Sequence, residues 1–342
     1  MSVVNEISGA LICTTGGLAG AMFALPFRGV KNWRYESYWL VYALVGLIVC
    51  PVVLAGVVCP DLLTVLRSAS GATLLRCFGF GVLWGFGGLT WGLMIRYLGI
   101  GLGLAIGCGL CSATGTLIPP LVTGHADDLV RDMAAVLTLV GVVVSLVGIV
   151  FVGWAGKLKE GELPAEEKMK AVAEFDFKKG IVVALFSGIA SAGMNFGLQG
   201  GMELEIAARQ SGTDVNWAGM PVLVVVLSGG FVVNAVWCLW QNVRNRSFGD
   251  YRRGVPSWLF AGLAGAIWVM QFVCQKLGEP ALGSVRYISF ALVMGSCVLF
   301  SSVLGVVLGE WRGTGFRTKM ALLSGLVLLA LSIALVTVAK GL

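Results

Sequence analysis

The chain has 342 residues, of which 57% are hydrophobic and only 12% charged. A soluble domain carries about 25% charged residues, so this chain cannot cover a globule with a wettable surface. Soluble, disordered and collagen-like classes are excluded, and a protein dissolved in lipid remains. Lys and Arg outnumber Asp and Glu by 24 to 18. The basic residues fall between apolar runs instead of forming a patch, so nucleic acid is not an expected partner.

A spanning helix needs about 20 mostly apolar residues. Ten stretches meet that requirement, near residues 7–27, 37–59, 72–96, 98–122, 133–154, 179–200, 217–242, 255–276, 281–309 and 319–340. Met1 to Glu6 holds no Lys or Arg, so it lacks the basic start of a secretory signal, and 7–27 is expected as a retained first span. The 49 glycines fit helices that approach one another closely in lipid. The joins at Leu98–Gly99 and Leu277–Gly278 are very short.

The longest polar segment, Lys157 to Lys179, contains Pro164 and reads as a solvated linker. It divides the chain into a first five-helix repeat (1–154), a cytoplasmic polar linker (155–178) and a second five-helix repeat (179–342). Because five is odd, the second half enters the membrane in the opposite sense. Arg96-Tyr97-Leu98-Gly99 before one Gly-rich span echoes Gln275-Lys276-Leu277-Gly278 before another. The expected fold is an all-α polytopic membrane protein of ten helices in two inverted repeats, an arrangement common among secondary transporters.

Cytoplasmic loops carry the excess of Lys and Arg. One face receives Arg28, Lys31, Arg34, Arg96, the six lysines of 157–179, the four arginines of 244–253, Arg312, Arg317 and Lys319. The other receives Arg67, Arg76, Arg131, Arg209, Lys276, Arg286 and Lys340. The first face is therefore expected to be cytoplasmic, with both termini outside.

Enzyme chemistry finds little support. His125 is the one histidine, and a single His cannot build a two- or three-His zinc site. Cys108-Gly-Leu-Cys111 lies in an apolar Gly-rich run and is expected to pack, not to bind metal. No cofactor or metal is implied.

The polar residues inside the spans say more. Trp84, Thr90 and Trp91 are interleaved with glycines in the third span. Ser191, Asn195 and Gln199 recur every four residues, and Trp268, Gln271 and Gln275 every three or four, so each set falls on one helical face. Unpaired amides in hydrocarbon cost several kcal/mol, so these faces are expected to point inward. With Tyr287 and Ser289 at the start of the ninth span they offer hydroxyl partners and aromatic planes, which suit a small sugar or polyol. The competing reading of the same amides is helix–helix hydrogen bonding. Trp39 and Trp311, at span ends, read as interfacial anchors.

Arg286 falls inside the ninth span, where a cation is costly and functional by default, with Glu203 and Glu279 as partners on the same side. No Asp or Glu lies near the middle of any span, so these three residues are the candidates for ion coupling. Thr116 and Pro120 are candidates for a gate in the fourth span, because Pro interrupts the helical ladder.

Several short pieces have a familiar order. They are Pro26-Phe27 with Val30-Lys31, Trp84-Gly85, Arg96-Tyr97-Leu98-Gly99, Gly115-Thr116-Leu117 and Pro120. Ala155-Gly156-Lys157-Leu158-Lys159-Glu160, Lys178-Lys179-Gly180 and Ser191-Ala192-Gly193-Met194 follow, then Trp268 with Gln271-Phe272, Tyr287-Ile288-Ser289 and Glu310-Trp311. In this order and spacing, from about residue 16 to the end, the chain resembles the L-rhamnose–proton symporter family of the drug/metabolite transporter superfamily. The resemblance implies ten helices, a cell inner-membrane location and uptake of a 6-deoxyhexose with protons. The family's pattern can carry an Asn where this chain has Gly88 and Leu89, and an acidic residue where it has Arg286. Those departures bear on which sugar is carried and on proton coupling.

The expected activity is thus alternating-access import of L-rhamnose or a related small sugar. Its cavity is expected to be built from Trp84, Trp91, Asn195, Gln199, Trp268, Gln271, Tyr287 and Ser289. Two other functions stay open at this point: an exporter of amino acids or other metabolites, and a non-transporting sugar sensor. Oligomeric state is not legible.

Overall fold

A computed structural model describes residues 3–99, 102–104, 106–111, 114–115, 133–162, 175–282 and 289–338. Of the expected site residues, Thr116, Pro120, Arg286 and Tyr287 lie outside the described residues. Every regular element among the described residues is helical. In chain order these are α1 (Val3–Met22), α2 (Tyr35–Val58), α3 (Leu62–Ser68), α4 (Gly71–Leu98), α5 (Leu102–Cys111), α6 (Met133–Glu162) and α7 (Phe177–Ser191). They continue as α8 (Gly193–Gln199), α9 (Met202–Gln210), α10 (Met220–Asn245), α11 (Val255–Gly278), α12 (Ser289–Val307) and α13 (Phe316–Val338).

Among the described residues, eight helical stretches are long and apolar enough to cross a membrane: Ser8–Gly29, Tyr35–Val58, Gly71–Leu98, Leu139–Lys159, Phe177–Gln210, Met220–Asn245, Val255–Gly278 and Ser289–Val307. They correspond to eight of the ten stretches read from the sequence. Of the other two, the fourth is described mainly over Leu102–Cys111, and the tenth is the 23-residue α13.

Two irregularities interrupt these helices, and local chemistry explains the first. Pro51 has no backbone N–H and would clash with a regular preceding turn. The turn before it, Leu44–Val49, widens to a π-helix in which the Cys50 N–H reaches back to Val45, and α2 continues across the site. The second irregularity is at Ala192, where the ladder tightens to a bond from the Ala192 N–H to the Ile189 carbonyl at 3.2 Å. There α7 ends and α8 begins. The break separates Ser191 from Asn195 and Gln199, which share α8; Ser191 and Asn195 are buried, and Gln199 is exposed.

The chain forms two compact units, one of Met1–Leu89 with Gly193–Arg286 and one of Thr90–Ala192 with Tyr287–Leu342. Each unit draws on both sequence halves. The first packs α1 along α11, and sets α2 against α10 and α11. Close approach of α2 and α11 depends on Gly46, because a Cβ there would sit 2.8 Å from the Gly265 carbonyl oxygen. Backbone cannot yield as a flexible side chain can. In the second unit α6 runs along α13, with Gly148 and Gly325 backbone to backbone.

Three expectations need correcting. Trp39 and Trp311 are not interfacial anchors: they are 2% and 5% exposed. Nor is the start of the 157–179 segment simply solvated, since Lys159 is 1% exposed. Each of these side chains found a partner that sequence distance hides, as shown below.

The α2–α11 contact gives a matched pair of tests on one helix. Gly46→Val should destabilise the detergent-solubilised protein by about 1–3 kcal/mol, as overpacking does, and lower its melting temperature. Gly56→Ala, where a Cβ meets nothing within 4 Å, should leave the melting temperature unchanged or slightly raised.

Candidate functional site

In the first unit α4 and α11 bring two indoles together. Trp84 stacks on Trp268 with ring centroids 5.3 Å apart and planes 27° from parallel. Trp268 also meets the Phe272 ring at 5.2 Å and Tyr42 at 6.1 Å. From Tyr42 the aromatic array continues to Trp39 at 4.6 Å and on to Tyr35, stacked at 5.1 Å. The Trp84 ring lies over Gly230, where any side chain would collide with it. Offset and edge-on ring pairs of this kind contribute about 0.5–1.5 kcal/mol each beyond their burial.

Polar groups are set among these rings with their partners. Trp39 Nε1 donates to Asn234 Oδ1 at 2.8 Å, and Asn234 Nδ2 donates to the Gly230 carbonyl at 2.8 Å. Gln271 lies three residues beyond Trp268 on α11 and is buried. Asn195 is buried on α8, the first turn of which rests on α4: a Cβ at Gly193 would touch the Phe80 carbonyl and the Trp84 amide. Phe196 stacks on Phe80 at 5.4 Å. Thus Trp84, Trp268, Gln271 and Asn195 belong to one unit and are all buried. Indole planes and amides in that setting can serve the C–H face and the hydroxyls of a neutral guest.

The second unit holds a separate polar group. Trp91 Nε1 donates to Ser191 Oγ at 2.8 Å, and Thr90 shares a hydroxyl hydrogen bond with Ser187. Ser289 is buried at the first residue of α12. Cys108 and Cys297 place their thiols 3.4 Å apart, and Cys111 is buried beside them in α5. No three His, Cys, Asp or Glu side chains come together as a metal site among the described residues.

The charged residues fall in places that the sequence did not disclose. Glu203 is exposed and accepts hydrogen bonds from the Ser70 amide at 2.9 Å and the Ser70 hydroxyl at 2.8 Å, which fixes the start of α4. Glu279 instead joins a buried cluster. Lys276 Nζ lies 2.7 Å from Glu205 Oε1 and 3.0 Å from Glu279 Oε2. Gln275 Nε2 donates to Glu279 Oε1 at 3.3 Å. Glu205 and Lys276 are the functional candidates that sequence reasoning missed. Lys276 and Glu279 are three apart, a visible ion-pair spacing, but Glu205 precedes Lys276 by 71 positions.

At the other end of α2 two further acids are buried with neutral donors. Glu36 accepts from Asn245 Nδ2 at 2.9 Å and Ser247 Oγ at 2.8 Å. Asp250 accepts from the Arg34 amide and from Ser37 Oγ, both at 2.9 Å. Beside them, burial pushes the Tyr251 phenol up to about 12. In the second unit Lys159 Nζ sits 5.0 Å from the Trp311 ring centroid and 5.3 Å from that of Phe175. Nearby, the Gly315 amide donates to Glu162 Oε2 at 2.7 Å, a bond that holds the Glu162 carboxyl below its usual range.

The family model for L-rhamnose-proton symport protein (RhaT) matches residues 3–341. The chain belongs to that family. Among its curated relatives, the L-rhamnose-proton symporter of Shigella sonnei is 34% identical over 322 residues, 92% of each chain. That of Klebsiella pneumoniae is 34% identical over 325 residues, 93% of each chain. The Escherichia coli protein of the same name is 33% identical over 322 residues. The family is one of proton-coupled sugar transporters and not of enzymes, and membership makes this a multi-pass membrane protein. Pieces of sequence that carried the resemblance meet in space: Lys159 of the 155–160 run lies over Trp311 of Glu310-Trp311.

The buried Trp39–Asn234 bond can be tested directly. Trp39→Phe keeps the ring stack but leaves the Asn234 oxygen without its indole donor, at a cost of about 1–3 kcal/mol. A melting temperature equal to that of the parent protein would show that the bond contributes nothing.

Proposed function

We propose that this chain is an inner-membrane carrier that imports L-rhamnose, or a closely related deoxyhexose, together with protons. The observation that carries the reading is the Trp84–Trp268 stack with Gln271 and Asn195 buried in the same unit. A 6-deoxyhexose presents a ring of hydroxyls and an apolar side that ends in a methyl group. Indole planes accommodate the apolar side, and amides pair the hydroxyls without a net charge that a neutral sugar would have to offset. Family membership over nearly the whole chain, with relatives named for this sugar and this ion, supports the same choice.

On this reading Trp91, Gln199, Tyr287 and Ser289 complete the sugar-contacting set, and Thr116 with Pro120 shapes a gate. The chain would cross the membrane ten times, in two five-helix halves of opposite sense that exchange access between the two sides. The unequal Lys and Arg distribution supports a cytoplasmic 155–178 linker and external termini.

The test is uptake of labelled L-rhamnose by cells that express the chain. Gln271→Ala should lower uptake about tenfold or more, the weight of a well-made buried hydrogen bond, with protein level in the membrane unchanged. Trp268→Ala should do the same. Unlabelled L-rhamnose should compete better than D-glucose. Undiminished uptake by the Gln271 variant would remove that residue from the site, and equal competition by D-glucose would remove the deoxyhexose assignment.

A further inference from the structure

Tyr42 of α2 is 5% exposed, and four rings surround it. Phe23 and Phe27 lie 5.8 and 5.6 Å from it between ring centroids, Trp39 4.6 Å and Trp268 6.1 Å. Its backbone is fixed as well, because any side chain at Gly265 of α11 would collide with the Tyr42 carbonyl oxygen. Packing, and not a hydrogen bond, places this phenol.

None of the surrounding rings can accept from the phenolic hydroxyl. Phenylalanine has no polar atom, an indole N–H only donates, and Trp39 gives its N–H to Asn234 at 2.8 Å. Among the described residues the Tyr42 hydroxyl has no hydrogen-bond partner. The same is true of the Gln271 side-chain amide, which is also 5% exposed. Buried polar groups are nearly always paired, and each exception calls for an explanation. Here the pairing is selective. Trp39 and Asn234, one step along the aromatic array, satisfy each other. The two polar side chains that neighbour Trp268, Tyr42 across the α2–α11 contact and Gln271 along the helix, do not. The π-helical turn Leu44–Val49 begins two residues past Tyr42, and wide turns of this kind are frequent at functional sites.

We propose that the Tyr42 hydroxyl is a sugar-contacting group of the carrier. It exchanges a hydrogen bond with one ring hydroxyl of the deoxyhexose, while the Gln271 amide pairs with another. The inference rests on the sugar import proposed above, and it adds α2 to the helices that read the substrate. A phenolic hydroxyl both donates and accepts, as a sugar hydroxyl does, so the bond forms with either group as donor. No charge enters the site. Groups of this kind reject an analogue that lacks the matching hydroxyl much more strongly than an apolar wall rejects a change of size. Tyr42 therefore sets selectivity more than the indole planes do.

Tyr42→Phe removes one oxygen and keeps the ring that packs against Phe23, Phe27, Trp39 and Trp268. Without sugar, the detergent-solubilised variant should melt at the parent's temperature or slightly above it, because no hydrogen bond is lost. Its Kd for L-rhamnose should rise about tenfold, the weight of one well-made hydrogen bond. The sugar hydroxyl concerned is found with the 2-, 3- and 4-deoxy analogues of L-rhamnose. One of them should bind the parent about tenfold more weakly than L-rhamnose does, yet bind parent and Tyr42→Phe equally, since that contact is already gone. An unchanged Kd for L-rhamnose in Tyr42→Phe overturns the assignment. So does a variant that melts lower or yields no folded protein, because the hydroxyl would then be partnered within the chain. If every analogue weakens by the same factor between parent and variant, Tyr42 only positions its neighbours, and direct contact is refuted. A parent that binds no L-rhamnose refutes the sugar reading itself, and the role of Tyr42 with it.

Discussion

A charged or amide group taken out of water must bring its partners with it, and that requirement organises this chain more than any sequence motif. Desolvating a carboxylate or ammonium costs several kcal/mol per ion, which apolar helix packing in lipid does not return. The described structure meets the demand locally in three ways. Opposite charges meet at Lys276, Glu205 and Glu279. Neutral donors surround Glu36 and Asp250. Aromatic faces cover Lys159. All three arrangements occur near helix ends, where a side chain can reach groups on a neighbouring element.

These solutions do different things because their chemistry differs. The donors around Glu36 and Asp250 are amides and hydroxyls that do not change charge in water. They tie the 28–37 segment to the 242–257 segment, as does Trp33 Nε1, which donates to the Arg253 carbonyl at 2.7 Å. That is a clasp. The Lys276 cluster is different because it joins groups of opposite charge from two helices that lie far apart in sequence. The same reasoning separates Glu203, held at the surface by Ser70, from Glu279, although both were equally plausible as isolated acids in the sequence.

What could be read in advance follows the range of each signal. Apolar run length is a local property, and the stretches 37–59, 72–96, 217–242 and 255–276 recur as helices with ends shifted by a few residues. The i, i+3 and i, i+4 spacing of Trp268, Gln271 and Gln275 is local too, and α11 is regular enough to keep it. The run of Ser191, Asn195 and Gln199 is interrupted between its first two members because the ladder changes at Ala192, and no residue there announces it. Trp39 was read as an anchor from its position near a span end, since its partner Asn234 is 195 residues away. Glu205 was invisible for a related reason: within Met202–Gln210 it looks like one more acid on an amphipathic turn, and only the fold brings Lys276 over it.

The placement of neutral and charged groups along α11 has its own logic. Uncharged groups such as Trp268 and Gln271 can be buried within the helix without placing an ion there. Ions cost more to bury, and Lys276 and Glu279 stand at the end of α11, where they pair. Side chains three or four apart on a helix are neighbours, and Gln275, four residues beyond Gln271, donates to Glu279, so the neutral and the charged groups of α11 meet at its end.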